Sequence, residues 1–284
     1  MYRAGEIDIT NTIPPTSVQA LNADMPANVR ISPSLALHYL AFDLIEPPFD
    51  NVLLRQAFNM AIDPEQLVAL IGLGEQPAYG IVPNGVAAHS GTHFAWRDLS
   101  DVERIRRARS IFRDAGYSAE TPLEIKYTYD SGDIHEKIAL AVSSMWRDVL
   151  GVEITLEKME WQYFLETPDK RAEWQIMRFA WFGDYNDAST FTNIFRSGDP
   201  QNLSHYSNDE YDQRLADATK EPRTDRRADL IANAESLLLE DHPIAPLYFF
   251  VSKHLVNPRI GGFENNVLDR HPSKYLNLEG TRQK

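Results

Sequence analysis

The chain has 284 residues, 43% of them hydrophobic and 24% charged, which is ordinary globular usage and enough for a substantial core in one large or two smaller domains. Asp and Glu outnumber Lys and Arg by 41 to 28, and the net charge of -13 opposes nucleic-acid phosphates while favouring cationic or zwitterionic ligands. With no cysteine, disulfides, zinc-thiolate sites and cysteine nucleophiles are excluded together, and no apolar run approaches the roughly 18 residues of a membrane-spanning helix.

The opening MYRAGEIDIT has neither the basic nor the apolar region of a secretory leader, which taken literally predicts a cytoplasmic chain. Residues 1–33 are rich in Pro, Asn and Thr. SLALHYLAFDL (34–44) then alternates and thickens into apolar residues like a strand entering a core, and the Pro47-Pro48 pair ends it. Asp50 or Asn51 can cap a helix over VLLRQAFNMAI, and Asp63-Pro64 opens another at PEQLVALI. Residues 72–95 read as a long ordered loop. A helix follows from Ser100 or Asp101, with Ile105, Ala108 and Phe112 on one face and Gly116 beyond its end.

The clearest supersecondary signal is PLEIKYTY (122–129), a helix over 133–151 and VEITLEK (152–158), together a β-α-β crossover. Parallel strands with helical cover imply an α/β architecture. A short helix EWQYFLET precedes the strand WQIMRFAWF (174–182). Two amphipathic helices (208–220 and 224–241) and the strand IAPLYFFV (244–251) follow, and the tail returns to Gly, Asn and Pro.

Catalytic motifs are absent from the sequence: there is no G-x-S-x-G elbow, Walker A loop or H-E-x-x-H, and Gly72, Gly74 and Gly80 miss the dinucleotide spacing. His89 and His93 lie four apart, but Gly91 interrupts any helix there, and the Asp184/Asp187 pair lacks the twelve-residue calcium pattern, so neither a metal nor a cofactor is expected. In RFAWFGDYND (178–187) two aromatics, Trp181 and Phe182, run into Gly183 and Asp184. Aromatic strands mostly mean packing, yet ligands in open α/β sheets bind beyond the carboxyl ends of strands, which is where Asp184 falls.

RFAWFGDYNDASTF resembles the W-x-x-D-Y-N segment of the oligopeptide- and dipeptide-binding proteins of ABC importers, the bacterial extracellular solute-binding proteins of family 5. LAFDLIEPPFDNVLLRQAFNMAID, DSGDIHEKIALAVSSMWRDVLGVEITLEKMEWQYF, HYSNDEYDQRLADA and IAPLYFFVSKHLV agree in the same order. The resemblance implies a lobe of the periplasmic-binding-protein type, with a mixed sheet and covering helices, acting without catalysis. It implies an extended peptide as ligand, held by backbone contacts and terminal charges, permease subunits of the importer as partners, and a periplasmic location.

By the same resemblance, Asp184 pairs with the ligand's α-ammonium beside Trp181, Phe182 and Gly183. Arg178 and His135 match positions that receive its carboxylate, a third basic position maps to Lys170 or Arg171, and Phe250 replaces a tyrosine lining the site. Phe182 stands where a relative has cysteine, and Ala188 where proline is frequent. The family pattern also divides the chain into a first-lobe remnant (1–33), a ligand-binding lobe (34–251) and a segment returning to the first lobe (252–284), and it places residue 1 well inside a longer pattern. The two flanks are thus expected to lose sheet partners and to leave edges that are disordered, repaired or covered by another copy.

Overall fold

In the computed structural model, which describes residues 1–89, 91–118, 122–166 and 174–279, the organising element is the long strand β1 (Val29–Phe42). From Leu35 to Phe42 every residue of β1 is buried, as a strand with apolar side chains on both faces requires at the centre of a covered sheet. It is flanked by β5 (Ile176–Phe182) and β6 (Ile244–Leu255), both antiparallel to it. Beyond β5 lie β3 (Glu124–Asp130) and β4 (Glu153–Met159), and β2 (Gln76–Pro77) edges β6, giving the order β2-β6-β1-β5-β3-β4 among the described residues. The expected crossover is present: β3 and β4 pair in parallel from Glu124↔Glu153 to Asp130↔Met159, joined by α5 (Asp133–Leu150). β5 is also parallel to β3, so the sheet is mixed and the fold is α/β with covering helices.

The helices start and stop where their capping residues dictate. Asn51 accepts from Leu53 N at the head of α2 (Val52–Ala61), Asp63 from Gln66 N at α3 (Pro64–Ile71), and Ser100 from Glu103 N at α4 (Asp101–Asp114). Gly151 closes α5 at φ 74°, a left-handed position that would strain a residue carrying Cβ. Phe58 of α2 packs against Phe49 and against Trp146 of α5, whose indole donates to Phe58 O at 2.9 Å, so the largest buried side chain leaves no orphan donor. Buried Arg55 donates to the carbonyls of Phe49, Asp50, Asp241 and His242, fastening α2 to the end of α9 (Thr224–Asp241).

Both long strands run past their expected limits. β1 starts at Val29 rather than 34, and β6 continues to Leu255 rather than 251. Val29–Pro33 pairs with Val251–Leu255, and the register shifts between Pro33 and Leu37. The flanks therefore find partners in each other, in a register offset from that of the inner strands by the irregularity between Pro33 and Leu37. Thr10 N donates to Leu255 O, Ile9 bridges Val256, and Ile13, Val18, Val29, Leu73 and Leu255 form a second small core beside α1 (Pro15–Asp24). On the other side of Val29–Pro33 no strand pairs among the described residues, since β5 begins opposite Phe42 and ends opposite Ala36.

Candidate ligand-binding site

β5 emerges from the core as it runs: Ile176, Met177 and Arg178 are buried, whereas Phe182 at its end is 60% exposed. Strand alternation puts Arg178 and Phe182 on one face and Phe179 and Trp181 on the other. Trp181 packs against the main core, its indole nitrogen without a hydrogen-bond partner among the described residues, while Phe182 meets Phe250 with ring centroids 5.2 Å apart. Phe250 in turn stacks on His38 at 5.9 Å and tilts against Tyr248 at 5.2 Å. The two aromatics of the motif thus divide their work, one anchoring the strand and the other standing at the surface.

Gly183 is dictated by close approach. A Cβ there would lie 2.9 Å from Thr190 Cγ2 and 3.1 Å from Phe191 Cζ, both on α7 (Ser189–Thr192). Its N–H donates to Leu35 O at 2.7 Å and ends the pairing with β1. The next residue, Asp184, donates its N–H to Thr190 Oγ1 at 3.1 Å, and its carboxylate is exposed without an ion pair among the described residues. Asp187 differs: Arg227 grips it through two hydrogen bonds of 2.7 and 2.8 Å, and Ser189 N adds a third. Burial pushes the Asp187 carboxyl up, but the bonds from Arg227 and Ser189 outweigh it and hold it down to about 2. Of the motif's two acids, Asp187 is a structural fastening, and Asp184 is exposed with no ion pair among the described residues.

Four residues before Phe182, Arg178 lies 7% exposed in a polar network. Its Nη1 donates to Asp130 Oδ1 at 2.8 Å, its Nη2 to His135 Nε2 at 2.9 Å, and its Nε to His38 Nε2 at 3.3 Å. An arginine only donates, so both imidazole Nε2 atoms accept; His135 Nδ1–H then donates to Asp130 Oδ2 at 3.0 Å, and His38 Nδ1–H faces Tyr248 Oη at 2.6 Å. Burial first, and the neighbouring Arg178 second, hold His38 far below the ordinary imidazole value, so it is neutral. Asp130 is held below the usual carboxylate range because the hydrogen bond from His135 and the charge of Arg178 outweigh its burial. Arg178 and Asp130 thus cancel, and half-buried His135 at the first turn of α5 is the member of the trio facing outward.

Arg178, His135 and Phe250 are thus brought together through shared contacts with His38, Phe182 joins them through Phe250, and Asp184 stands beyond the strand end. Lys170 and Arg171 lie outside the described residues. Asp130, His38 and Tyr248 escaped the sequence reading, although Asp130 ends a parallel strand and so satisfies the positional rule that singled out Asp184.

The family model described as "Bacterial extracellular solute-binding proteins, family 5 Middle" matches residues 1–202. The chain belongs to this family. Among curated relatives, the periplasmic oligopeptide-binding protein OppA of Salmonella typhimurium is 34% identical over 264 residues, 92% of this chain and 48% of the relative. The probable deoxycholate-binding periplasmic protein YgiS of Escherichia coli is 35% identical over 280 residues, 98% of this chain and 52% of the relative. The periplasmic murein peptide-binding protein MppA of Escherichia coli is 34% identical over 267 residues, 93% of this chain and 49% of the relative. A solved structure titled as the unliganded open form of a periplasmic murein tripeptide-binding MppA superposes with a TM-score of 0.90 at 32% identity, covering 98% of this chain and 54% of that one. The family 5 chain described here therefore spans about half the length of the relatives it matches. No helix among the described residues is long and apolar enough to cross a membrane.

Proposed function

We propose that the chain supplies one wall of the ligand site in the substrate-binding component of a periplasmic peptide ABC importer, and that it binds extended oligopeptides without turnover. The observation that carries this reading is the contrast between Asp187, saturated by Arg227, and Asp184, left exposed beyond β5 without an ion pair among the described residues. A bare carboxylate beside the Phe182/Phe250 aromatic surface suits a peptide's α-ammonium, since charge-assisted hydrogen bonds strengthen where apolar groups exclude water. Trp181 holds the strand end from behind, and Gly183 lets α7 close on that end so that Asp184 is presented just beyond it.

At the other end of the ligand, the N–H groups that Arg178 leaves unbonded receive the terminal carboxylate beside His135, whose ring nitrogens are both engaged, and Arg171 serves ligands of another length. Main-chain recognition gives weak sequence selectivity, as an importer of mixed peptides needs. Closure against a second lobe would supply desolvation, and the closed form would engage the permease subunits. The test is calorimetric titration of the chain as expressed with a free-amino peptide and with its N-acetylated twin. Acetylation is expected to cost roughly ten- to a hundred-fold in affinity, the range of a charge-assisted bond. Equal binding of the two peptides removes the role given to Asp184, and cleavage products in the titration cell remove the receptor reading.

A further inference from the structure

Away from β5, three side chains converge where β6 leaves the sheet. His254, 6% exposed near the end of β6, directs Nδ1 to Thr10 O at 2.9 Å and Nε2 to Asp269 Oδ1 at 2.7 Å. His271 Nε2 lies 3.2 Å from the same Asp269 oxygen. One ligand atom from each of the three falls within 4.8 Å of the others. We propose that His254, Asp269 and His271 form a binding site for a divalent transition metal of the zinc class, a role independent of the peptide reading above.

The chemistry begins with His254. A carbonyl oxygen only accepts, so Nδ1 carries the proton, and a neutral ring then presents its Nε2 lone pair to the carboxylate of Asp269. Two lone pairs at 2.7 Å repel unless something positive lies between them, either a second proton or a metal ion. The Nδ1–H···O=C bond to Thr10 is the outer contact that metal-ligating histidines ordinarily make, because it fixes ring and tautomer. Two imidazoles and one carboxylate are a borderline donor set suited to Zn2+ or Co2+. Metal bonds of about 2.0–2.1 Å place neighbouring donors roughly 3.0–3.4 Å apart, so the His271 spacing already fits and the His254 spacing opens by about half an ångström.

The groups are held in place. Asp269 has φ 52°, a conformation unusual for a residue with Cβ. It is braced because Asp269 N and Arg270 N both donate to Asn266, whose side chain donates back to Arg270 O. His271 stacks flat on Phe263 with centroids 3.7 Å apart. Beside the three donors is a cavity of about 350 Å³ lined by Ile9, Thr10, Asn11 and Leu276, room for water or another ligand in the remaining coordination positions. Bound there, the metal would tie the N-terminal flank, β6 and the returning tail into one unit.

The test is titration of the chelator-treated chain with Zn2+, repeated with Co2+ and followed by visible absorption. One equivalent should bind with release of a proton, read from the dependence of the heat on buffer, as the His254 Nε2–H is displaced. Asp269→Asn and His271→Ala should each weaken binding by at least about tenfold, whereas His93→Ala, which removes an exposed imidazole elsewhere, should not. Absence of saturable binding at millimolar Zn2+, or wild-type affinity in both ligand variants, overturns the proposal and leaves His254 a hydrogen-bonded clamp between Thr10 and Asp269. If either variant fails to fold, the 15N imidazole resonances of the wild type decide: Zn2+ must perturb both His254 and His271, and a shift confined to other histidines counts against the site.

Discussion

The two ends of β5 present opposite solutions to the same problem. At Arg178 every charge is met: the guanidinium has three of its five N–H groups bonded to Asp130, His135 and His38, and the cluster is nearly closed to water. Past Phe182, the Asp184 side chain has no ion pair among the described residues and stands in solvent. The buried end has to be compensated because an uncompensated charge there would be prohibitive, whereas water can solvate the exposed end without a protein partner. Compensation marks a group used by the fold, and its lack marks a group left for something else.

That difference is broken most severely at Arg178. Arg178→Met leaves Asp130 buried without its cation and is expected to cost about 3–5 kcal/mol of unfolding free energy in urea titration. Pairing it with Asp130→Asn should recover part of the loss, because the second change removes the stranded charge. If the double variant is less stable than the single one, the closed end is not held by that pair. Asp184→Asn is the opposite experiment. It should leave stability within about 0.5 kcal/mol while weakening binding of a free-amino peptide by about 1.5–3 kcal/mol. A large stability loss from this change would mean that Asp184 belongs to the fold after all.

Next in size is the hinge between the two ends. Gly183→Ala drives a methyl into Thr190 and Phe191 at 2.9 and 3.1 Å, and overpacking of this kind costs typically about 1–3 kcal/mol. Because α7 must move to admit it, Asp184 N loses its alignment with Thr190 Oγ1, and peptide affinity should fall together with stability. A variant with lowered stability and unchanged affinity would show that the two ends are not coupled through this residue.

The sheet and its crossover were legible because β3, α5 and β4 carry patterns of period 2 and 3.6 with Gly151 as a stop, and these are local facts. The outer parts of β1 and β6 were not. Val29–Pro33 has two polar residues and a proline, and it becomes strand only because Val251–Leu255 lies opposite, a pairing of residues more than 200 positions apart. The site divides in the same way. The motif pointed to Asp184 alone, and nothing in the sequence says that Arg227, forty residues on, takes its neighbour Asp187. Likewise Arg178 and His135 could be matched by position, while their hydrogen bonds to Asp130 depend on three separate elements meeting in space.

The gentlest probe of the closed end is acid. His38 faces Arg178, His135 and Tyr248, and its folded-state value lies well below the ordinary one, chiefly from burial. The unfolded chain therefore takes up this proton first as pH falls, so the stability contribution is whole above about pH 6.5 and is lost below it. The slope from one such group is about 1.4 kcal/mol per pH unit. Asp130, held below the usual carboxylate range by His135 and Arg178 against its burial, adds its own loss only below about pH 4. His38→Gln should flatten the decline between roughly pH 6 and 4.5 by about one proton's worth, and Asp184→Asn should leave it unchanged. Denaturant midpoints across that range settle the matter: equal slopes in wild type and His38→Gln would mean that the closed end admits the proton without opening, and that its compensation is looser than the buried geometry implies.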